Sequence, residues 1–230
     1  MVISISRPYF APFTGYFLKA RFSDLFVILD QVQFPLRTTW ITRNRFKNDQ
    51  GVLWLTIPVW KRGRGLQSIE NVRICHQGRW NRKCPASLKS AYADAPFFQD
   101  HFDFLKEIFA EKHERILDLN MKIIRYIFRY LDIGTTIVHQ SELGVKERGD
   151  RLLVEICRRT GGSSLLIPDP VLKFLDTDLF DRSGIEPKPF SYHPRAYPQL
   201  WGDFIANLSI FDMIFNCGEK TREIMAAGGA

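Results

Sequence analysis

Four short stretches of this 230-residue chain carry residues whose types and spacing suit the handling of an anionic molecule. In the first, Arg7-Pro8-Tyr9-Phe10-Ala11-Pro12-Phe13-Thr14-Gly15-Tyr16, two prolines stiffen a loop and Gly15 would let a helix N-terminus come close to an anion. A rigid turn by itself would account for the same prolines and glycine. In the second, Asp30 ends an apolar run, where it could accept a sugar or ribose hydroxyl or act as a base. In the third, Arg43 and Arg45 flank Asn44. On a strand the two arginines share one face and form a fork for phosphate or carboxylate, the competing reading being an ion pair with Asp30 or Asp49. In the fourth, His193 is the one histidine inside a motif, and it suits the removal of a proton from an amine or hydroxyl near neutral pH. Lys83, in Trp80-Asn81-Arg82-Lys83-Cys84, is a further ligand candidate, whereas Cys84 reads first as a small buried hydrophobe and only second as a nucleophile.

The elements that must position these residues follow from hydrophobic periodicity. Residues 2–6 read as a strand, 15–22 as a helix and 25–29 as a buried, β-branched strand, which together have the size of a βαβ unit. Residues 40–46 and 52–59 read as strands joined by a turn at 47–51, and 69–74 as another strand. Helices dominate next. One begins at Pro85, and apolar residues recur at helical spacing between 101 and 132, with Asp118 as a candidate cap and Gly134 as a candidate stop. Further strands are expected at 135–139, 164–167 and 185–192, and helices at 150–160, 177–183, 209–216 and 219–226. Helices alternating with short apolar strands predict a three-layer α/β arrangement with a mainly parallel, Rossmann-like sheet, plus a helical segment around residues 85–132. In such sheets ligands sit beyond the carboxyl ends of the strands, which places the 7–15 loop, the loop after Asp30 and the loop after Ile167 around one crevice. No repeat or linker divides the chain, so one domain spans 1–230, with 132–150 as a candidate subdomain break.

Charge is uneven along the chain. Residues 1–89 hold 15 Lys and Arg against four acids, a net +11, while the remainder carries −4. A basic half attracts an anionic partner, such as a nucleotide, a sugar phosphate or nucleic acid, although a solvated basic face gives the same count. The four cysteines form no CxxC pair and read as reduced structural thiols, with no metal site indicated. The opening MVISISRPYF lacks a basic leader, and the apolar runs fall short of the roughly 20 residues a bilayer requires. A cytoplasmic protein without membrane insertion is expected.

Taken in order, the motifs resemble the WbqC-like family of bacterial surface-polysaccharide proteins. Pro8, Tyr9, Phe10, Pro12, Gly15, Tyr16 and Phe17 match that family's Q-P-Y-F-x-P-x-x-G-Y-F opening, with Arg7 in place of the glutamine and no histidine just before it. Asp30-Gln31-Val32-Gln33-Phe34, Trp40 and Arg43-Asn44-Arg45 are similar to its D-D-V-Q-F…W…N-R-N-R segment. Trp80, Lys83, Ser87, Leu88, Tyr92, Ala95, Pro96 and Phe97 follow its W-x-x-K-H-x-x-S-L…Y-x-x-A-P-F pattern, with Cys84 where histidine is common. Ser141-Glu142-Leu143-Gly144 and the ending from His193-Pro194 through Tyr197, Gln199, Ser209, Asp212 and Gly218 resemble it as well. The resemblance runs from about residue 2 to 220.

The resemblance implies a role in O-antigen or other surface-glycan assembly, with transfer of glycine or a similar acyl unit to an amino sugar. On that reading Arg43, Arg45 and Lys83 would hold the phosphates of a nucleotide-linked sugar and Asp30 or Gln33 would orient a hydroxyl. His193 would assist the attacking amine, and Arg7, Tyr9, Gly15, Tyr16, Asn44 and Gln199 complete the expected binding set. An ATP-dependent amide ligase is the alternative enzyme, without an H-x-G-H signature in the sequence to support it. Nucleic-acid binding by Trp40, Arg43 and Arg45 ranks below both, since no RRM, KH or helix-turn-helix signature is present. A non-catalytic scaffold is the remaining alternative. Cofactor requirement and oligomeric state stay open.

Overall fold

The computed structural model describes residues 1–229. The chain begins with β1 (Val2–Ser6), α1 (Thr14–Arg21) and β2 (Leu25–Ile28), which form a right-sized βαβ unit. A hairpin of β3 (Arg43–Asn48) and β4 (Gly51–Thr56) follows, then three helices: α2 (Trp80–Tyr92), α3 (Phe98–Ala110) and α4 (Ile116–Tyr130). The second half alternates: β5 (Thr136–His139), α5 (Gln140–Leu143), α6 (Asp150–Thr160), β6 (Ser164–Pro168), α7 (Asp169–Leu172), α8 (Thr177–Ser183) and β7 (Glu186–Phe190). Helices α9 (Ile210–Cys217) and α10 (Thr221–Ala227) complete the described chain.

Five strands pair entirely in parallel in the order β5-β2-β1-β6-β7, and the antiparallel β3–β4 hairpin stands apart as a second sheet. Neighbouring residues on a strand point to opposite faces, so each central strand serves two cores. Phe26, Ile28 and Leu166 face a large cluster containing Phe17 and Leu18 of α1 and the apolar stripes of α2–α4. Ile3, Val27, Leu165 and Ile167 face a smaller cluster with Leu152 and Ile156 of α6 and Phe180 of α8. Sheet and two helical layers give the Rossmann-like α/β fold expected from the sequence. Outward from β1 the chain runs through β2 to β5, then crosses back to β6 and β7 on the other side. The topological switch point therefore lies between β1 and β6.

Three local expectations are corrected. Residues 69–74 do not pair as a strand; Ile69–Asn71 is a single 3-10 turn, flanked by the isolated bridges Val59–Ile74 and Arg73–Arg115. Helix α2 starts at Trp80 rather than at Pro85, and the proline sits within it. Its ring lacks the N–H that the second turn would otherwise donate, while Trp80 anchors the start by donating its indole N–H to the Cys75 carbonyl at 3.0 Å. In α4, Asp118 lies in the first turn rather than at the cap, and Leu131 ends the helix before Gly134.

Two side-chain amides from distant elements hold the loop from Arg7 to Phe13. Asn44 Nδ2 donates to the carbonyls of Phe10 (3.0 Å) and Ala11 (2.6 Å), and Asn120 Nδ2 donates to those of Pro8 and Ile41, both at 2.8 Å. Both asparagines are buried. Ala11 takes the left-handed φ of +42°, a strained setting for a residue with a Cβ, and Asn44 holds it there. Replacing Asn44→Ala leaves two buried carbonyls unpartnered. The expected outcome is a loss of about 2 kcal/mol in urea unfolding; an unchanged midpoint would show that the loop is held by other means.

Candidate functional site

At the carboxyl ends of β1 and β6 lies a crevice of about 720 Å³, placed at the switch point. Arg7, Tyr9, Gly15, Tyr16 and Lys19 form its β1–α1 side; Ile167, Pro168 and Asp169 face them from β6 and α7, and Tyr192 closes one end. Tyr16 is buried and donates its hydroxyl to the Arg7 carbonyl at 3.2 Å, so the backbone of the arginine is fixed while its side chain stays exposed. Burial, helped by the neighbouring Tyr9, pushes the Tyr16 phenol well above its ordinary pKa. A Cβ on Gly15 would come within 2.6 Å of the Phe13 ring and 2.7 Å of the Tyr192 ring. Glycine is therefore required for the two aromatic rings to close over the start of α1.

Two further clefts adjoin this crevice. Arg7 also lines a space of about 640 Å³ with Gln31, Gln33, Glu70 and Gln140, beyond the ends of β2 and β5. Tyr9, Phe13 and Asn207 also line a space of about 310 Å³ with Trp40, Asn44 and Arg45. Arg7, Tyr9, Gly15, Tyr16, Gln33, Asn44 and Arg45 are thus brought along one edge of the molecule.

Arg43 and Arg45 do share a strand face, yet neither is paired with Asp30 or Asp49. The Arg43 guanidinium lies 4.0 Å from the centre of the Trp54 ring, and that of Arg45 lies 5.7 Å from the Trp40 ring. The two indoles are stacked at 5.6 Å. Arg45 also donates to the Asn207 carbonyl at 2.8 Å. Both arginines are thereby held on aromatic faces, at contacts typical of cation–π pairs.

Other expected site residues stand elsewhere. His193 is exposed, with its backbone N–H bonded to the Gly228 carbonyl at 2.9 Å, and it lines none of these clefts. Lys83 is exposed on α2 and lines none of them either. Gln199 belongs to a buried clamp: it accepts from Lys47 Nζ at 3.2 Å and exchanges bonds with the backbone of Ile205. In the same clamp Asp212 accepts from the hydroxyls of Tyr92 and Tyr197, each at 2.7 Å. Burial raises the Asp212 carboxyl, against the pull of those hydrogen bonds. The thiol of Cys84, on the buried side of α2, is pushed up by burial to about 11, which keeps it protonated and poorly nucleophilic. All four cysteines are free.

Asp30, at the end of β2, is buried and saturated. It accepts from the Ser141 N–H (3.0 Å), the Ser141 hydroxyl (2.6 Å) and His139 Nδ1 (3.2 Å). Burial raises its pKa, but the bonds from His139 and Ser141 outweigh burial and leave it below the usual value. His139, at the end of β5, was not singled out by sequence reasoning, although it directly precedes the Gln140-Ser141-Glu142 turn. Lys19 was also passed over, because every residue from Thr14 to Ala20 is buried and no polar stripe marks its face. No cluster of three or more His, Cys, Asp or Glu able to hold a metal occurs among the described residues, and no described helix is long and apolar enough to cross a membrane.

Fold and crevice together define a Rossmann-like α/β protein with a candidate small-ligand site at its switch point. The chain belongs to the WbqC-like protein family, which it matches over residues 7–224. It is 29% identical to the Mycobacterium tuberculosis protein Rv1507c over 225 residues, 97% of this chain and 96% of that protein. A weaker similarity, 25% over 74% of each chain, links it to indole-3-glycerol phosphate synthase of Streptococcus pneumoniae (strain JJA). No solved structure matches it significantly.

A carboxyl held below its ordinary value contributes stability above about pH 4, and that contribution is lost as pH falls through the folded-state value. Asp30→Asn is therefore expected to lower unfolding free energy by about 1–3 kcal/mol at pH 7 and to flatten its decline at acid pH. Urea titrations from pH 7 to pH 3 check this; parallel profiles for the two proteins would contradict it.

Proposed function

We propose that this protein is a cytoplasmic enzyme of bacterial surface-polysaccharide assembly that transfers glycine, or a similar acyl unit, onto the amino group of a nucleotide-linked sugar. The observation that carries the reading is the crevice itself. It opens at the switch point, where α/β sheets place their ligands, and its β1 side offers the cations Arg7 and Lys19. The excess positive charge of residues 1–89 would draw a polyanionic substrate toward that edge. Membership of the WbqC-like family supplies the link to surface glycans.

In this reaction the sugar amine attacks the carbonyl of an activated acyl donor, such as a thioester or acyl phosphate. The donor's leaving group departs with the electron pair and the amine gives up a proton. Arg7, Tyr9 and Tyr16 hold the substrate, and Arg45 receives a phosphate at the adjoining cleft, with Arg43 beside it on the same strand face. His139, which lines none of the three clefts itself but directly precedes Gln140 in the wall of the cleft of about 640 Å³, takes the proton. Asp30 orients it through Nδ1 and would stabilise the imidazolium that forms. His193 keeps a proposed role only if its exposed segment closes over the crevice.

The test is mass spectrometry of purified protein incubated with nucleotide-linked amino sugars and activated or free glycine, with and without ATP–Mg²⁺. The expected result is a sugar carrying one added glycyl group. Arg7→Ala should raise KM about tenfold, the worth of one charge-assisted contact, and His139→Gln should lower kcat by about 10²-fold or more. No product under any combination, or product unaffected by both substitutions, would overturn the reading. Dependence on ATP with free glycine would move the protein to the amide-ligase alternative.

A second reading has one observation in its favour. The stacked Trp40–Trp54 pair with its two guanidiniums combines the aromatic and cationic groups that single-strand binding surfaces use. Salt-sensitive binding of single-stranded oligonucleotides, abolished by Trp54→Ala, would support nucleic-acid binding instead.

A further inference from the structure

Lys19 is a charged side chain placed where the fold gives it almost nothing to bind. It sits in the last turn of α1, 7% exposed, and lines the switch-point crevice. Its ammonium carries three donors. Among the described residues one hydrogen bond is made, to the Ile5 carbonyl at 2.8 Å, and no carboxylate comes within the 4.0 Å of an ion pair. Asp169, the acidic residue on the opposite wall, is engaged by the Ser191 hydroxyl. Burial lowers the Lys19 amine to about 8, which still leaves it largely protonated at neutral pH.

A buried ammonium without a counter-charge is costly, and natural proteins almost always pair such a group. The other buried lysine, Lys47, shows the contrast: its amine donates to Gln199 Oε1 and to the carbonyls of Gly202 and Asp203. Lys47 closes a loop, whereas Lys19 lines the crevice together with Arg7 and the apolar Leu166, Ile167 and Phe190, with two of its three donors unused.

We propose that the Lys19 ammonium is the anchor of an oxyanion-binding subsite within the crevice, taking the phosphate or carboxylate of a small substrate whose apolar or sugar portion lies against the β6–β7 side. The subsite deepens the transfer reading by assigning the anion's position, and it rests on that reading only for the identity of the whole substrate. Arg7 at the rim supplies the second cation.

Three probes separate the sources of the anion: inorganic phosphate, acetate and glycine, each titrated calorimetrically into the full chain and into Lys19→Met. Lys19→Met keeps the length of the side chain and removes its charge. The expected result is saturable binding of at least one probe, weakened tenfold or more by the substitution, about the worth of one charge-assisted contact. Phosphate alone would identify a phosphate ester, whereas acetate and glycine would identify a carboxylate. The melting temperature of ligand-free Lys19→Met should rise by a few degrees, since an uncompensated buried charge is removed. Equal affinity in both proteins, or binding by neither, would overturn the proposal and leave Lys19 as a tether for β1.

If the variant does not fold, the wild-type chain still decides. Reductive methylation of Lys19, followed by peptide mass mapping, should be slowed severalfold by the bound probe, and an unchanged rate would count against the subsite. Anion binding with no transfer product would sink the transferase and keep the subsite. Product formation with an unaltered KM in Lys19→Met would do the reverse.

Discussion

The carbonyl groups of the loop between β1 and α1 need partners inside the protein, and the crevice depends on where they find them. Two prolines in the loop cannot donate backbone hydrogen bonds, and the loop's course leaves the carbonyls of Arg7, Pro8, Phe10 and Ala11 turned inward. Their partners come from three separate elements: Tyr16 of α1, Asn44 of β3 and Asn120 of α4. The hairpin and the helical layer are thereby tied to the end of β1. A side chain amide at residue 120, far along the chain, fixes the rim of a site formed by residues 7–19.

Charge in the protein follows one rule with one exception. Asp30, Asp212 and Lys47 are buried; three hydrogen bonds meet Asp30, three meet the Lys47 amine and two meet the Asp212 carboxylate. Those groups are therefore architectural in their contacts, whatever else they do. Arg43 and Arg45 lay their guanidiniums on indole rings and so keep their charge near the surface at low cost. Lys19 breaks the pattern, and it does so in the crevice where an α/β sheet offers a ligand its place. Conflict between local chemistry and fold is expected at functional positions rather than in scaffolding.

Much of the fold was legible in the sequence because its strands are buried on both faces. The runs at 25–29 and 165–167 carry consecutive apolar residues, that at 2–6 interleaves them with serine, and the structure makes all three central strands of the parallel sheet. Residues 69–74 misled because Ile69, Val72 and Ile74 are buried without forming a ladder: an apolar pattern reports burial, not pairing. The site was legible in part. Pro8, Pro12 and Gly15 pointed to the crevice loop through backbone chemistry that a sequence displays directly. Asp30's partners were hidden because His139 and Ser141 lie more than a hundred residues away and meet it only across β2 and β5. Gln199 looked like a ligand contact, and only the position of Lys47 reveals it as part of a clamp.

The central claim is that a small anionic substrate enters the crevice between the carboxyl ends of β1 and β6. Backbone amide shifts of the ¹⁵N-labelled protein, recorded while a nucleotide-linked amino sugar is titrated in, test it most directly. The account predicts the largest saturable changes at Tyr9, Gly15, Lys19 and Ile167, all around that opening. Changes confined to the β3–β4 hairpin, or to the exposed segment around His193, would contradict it.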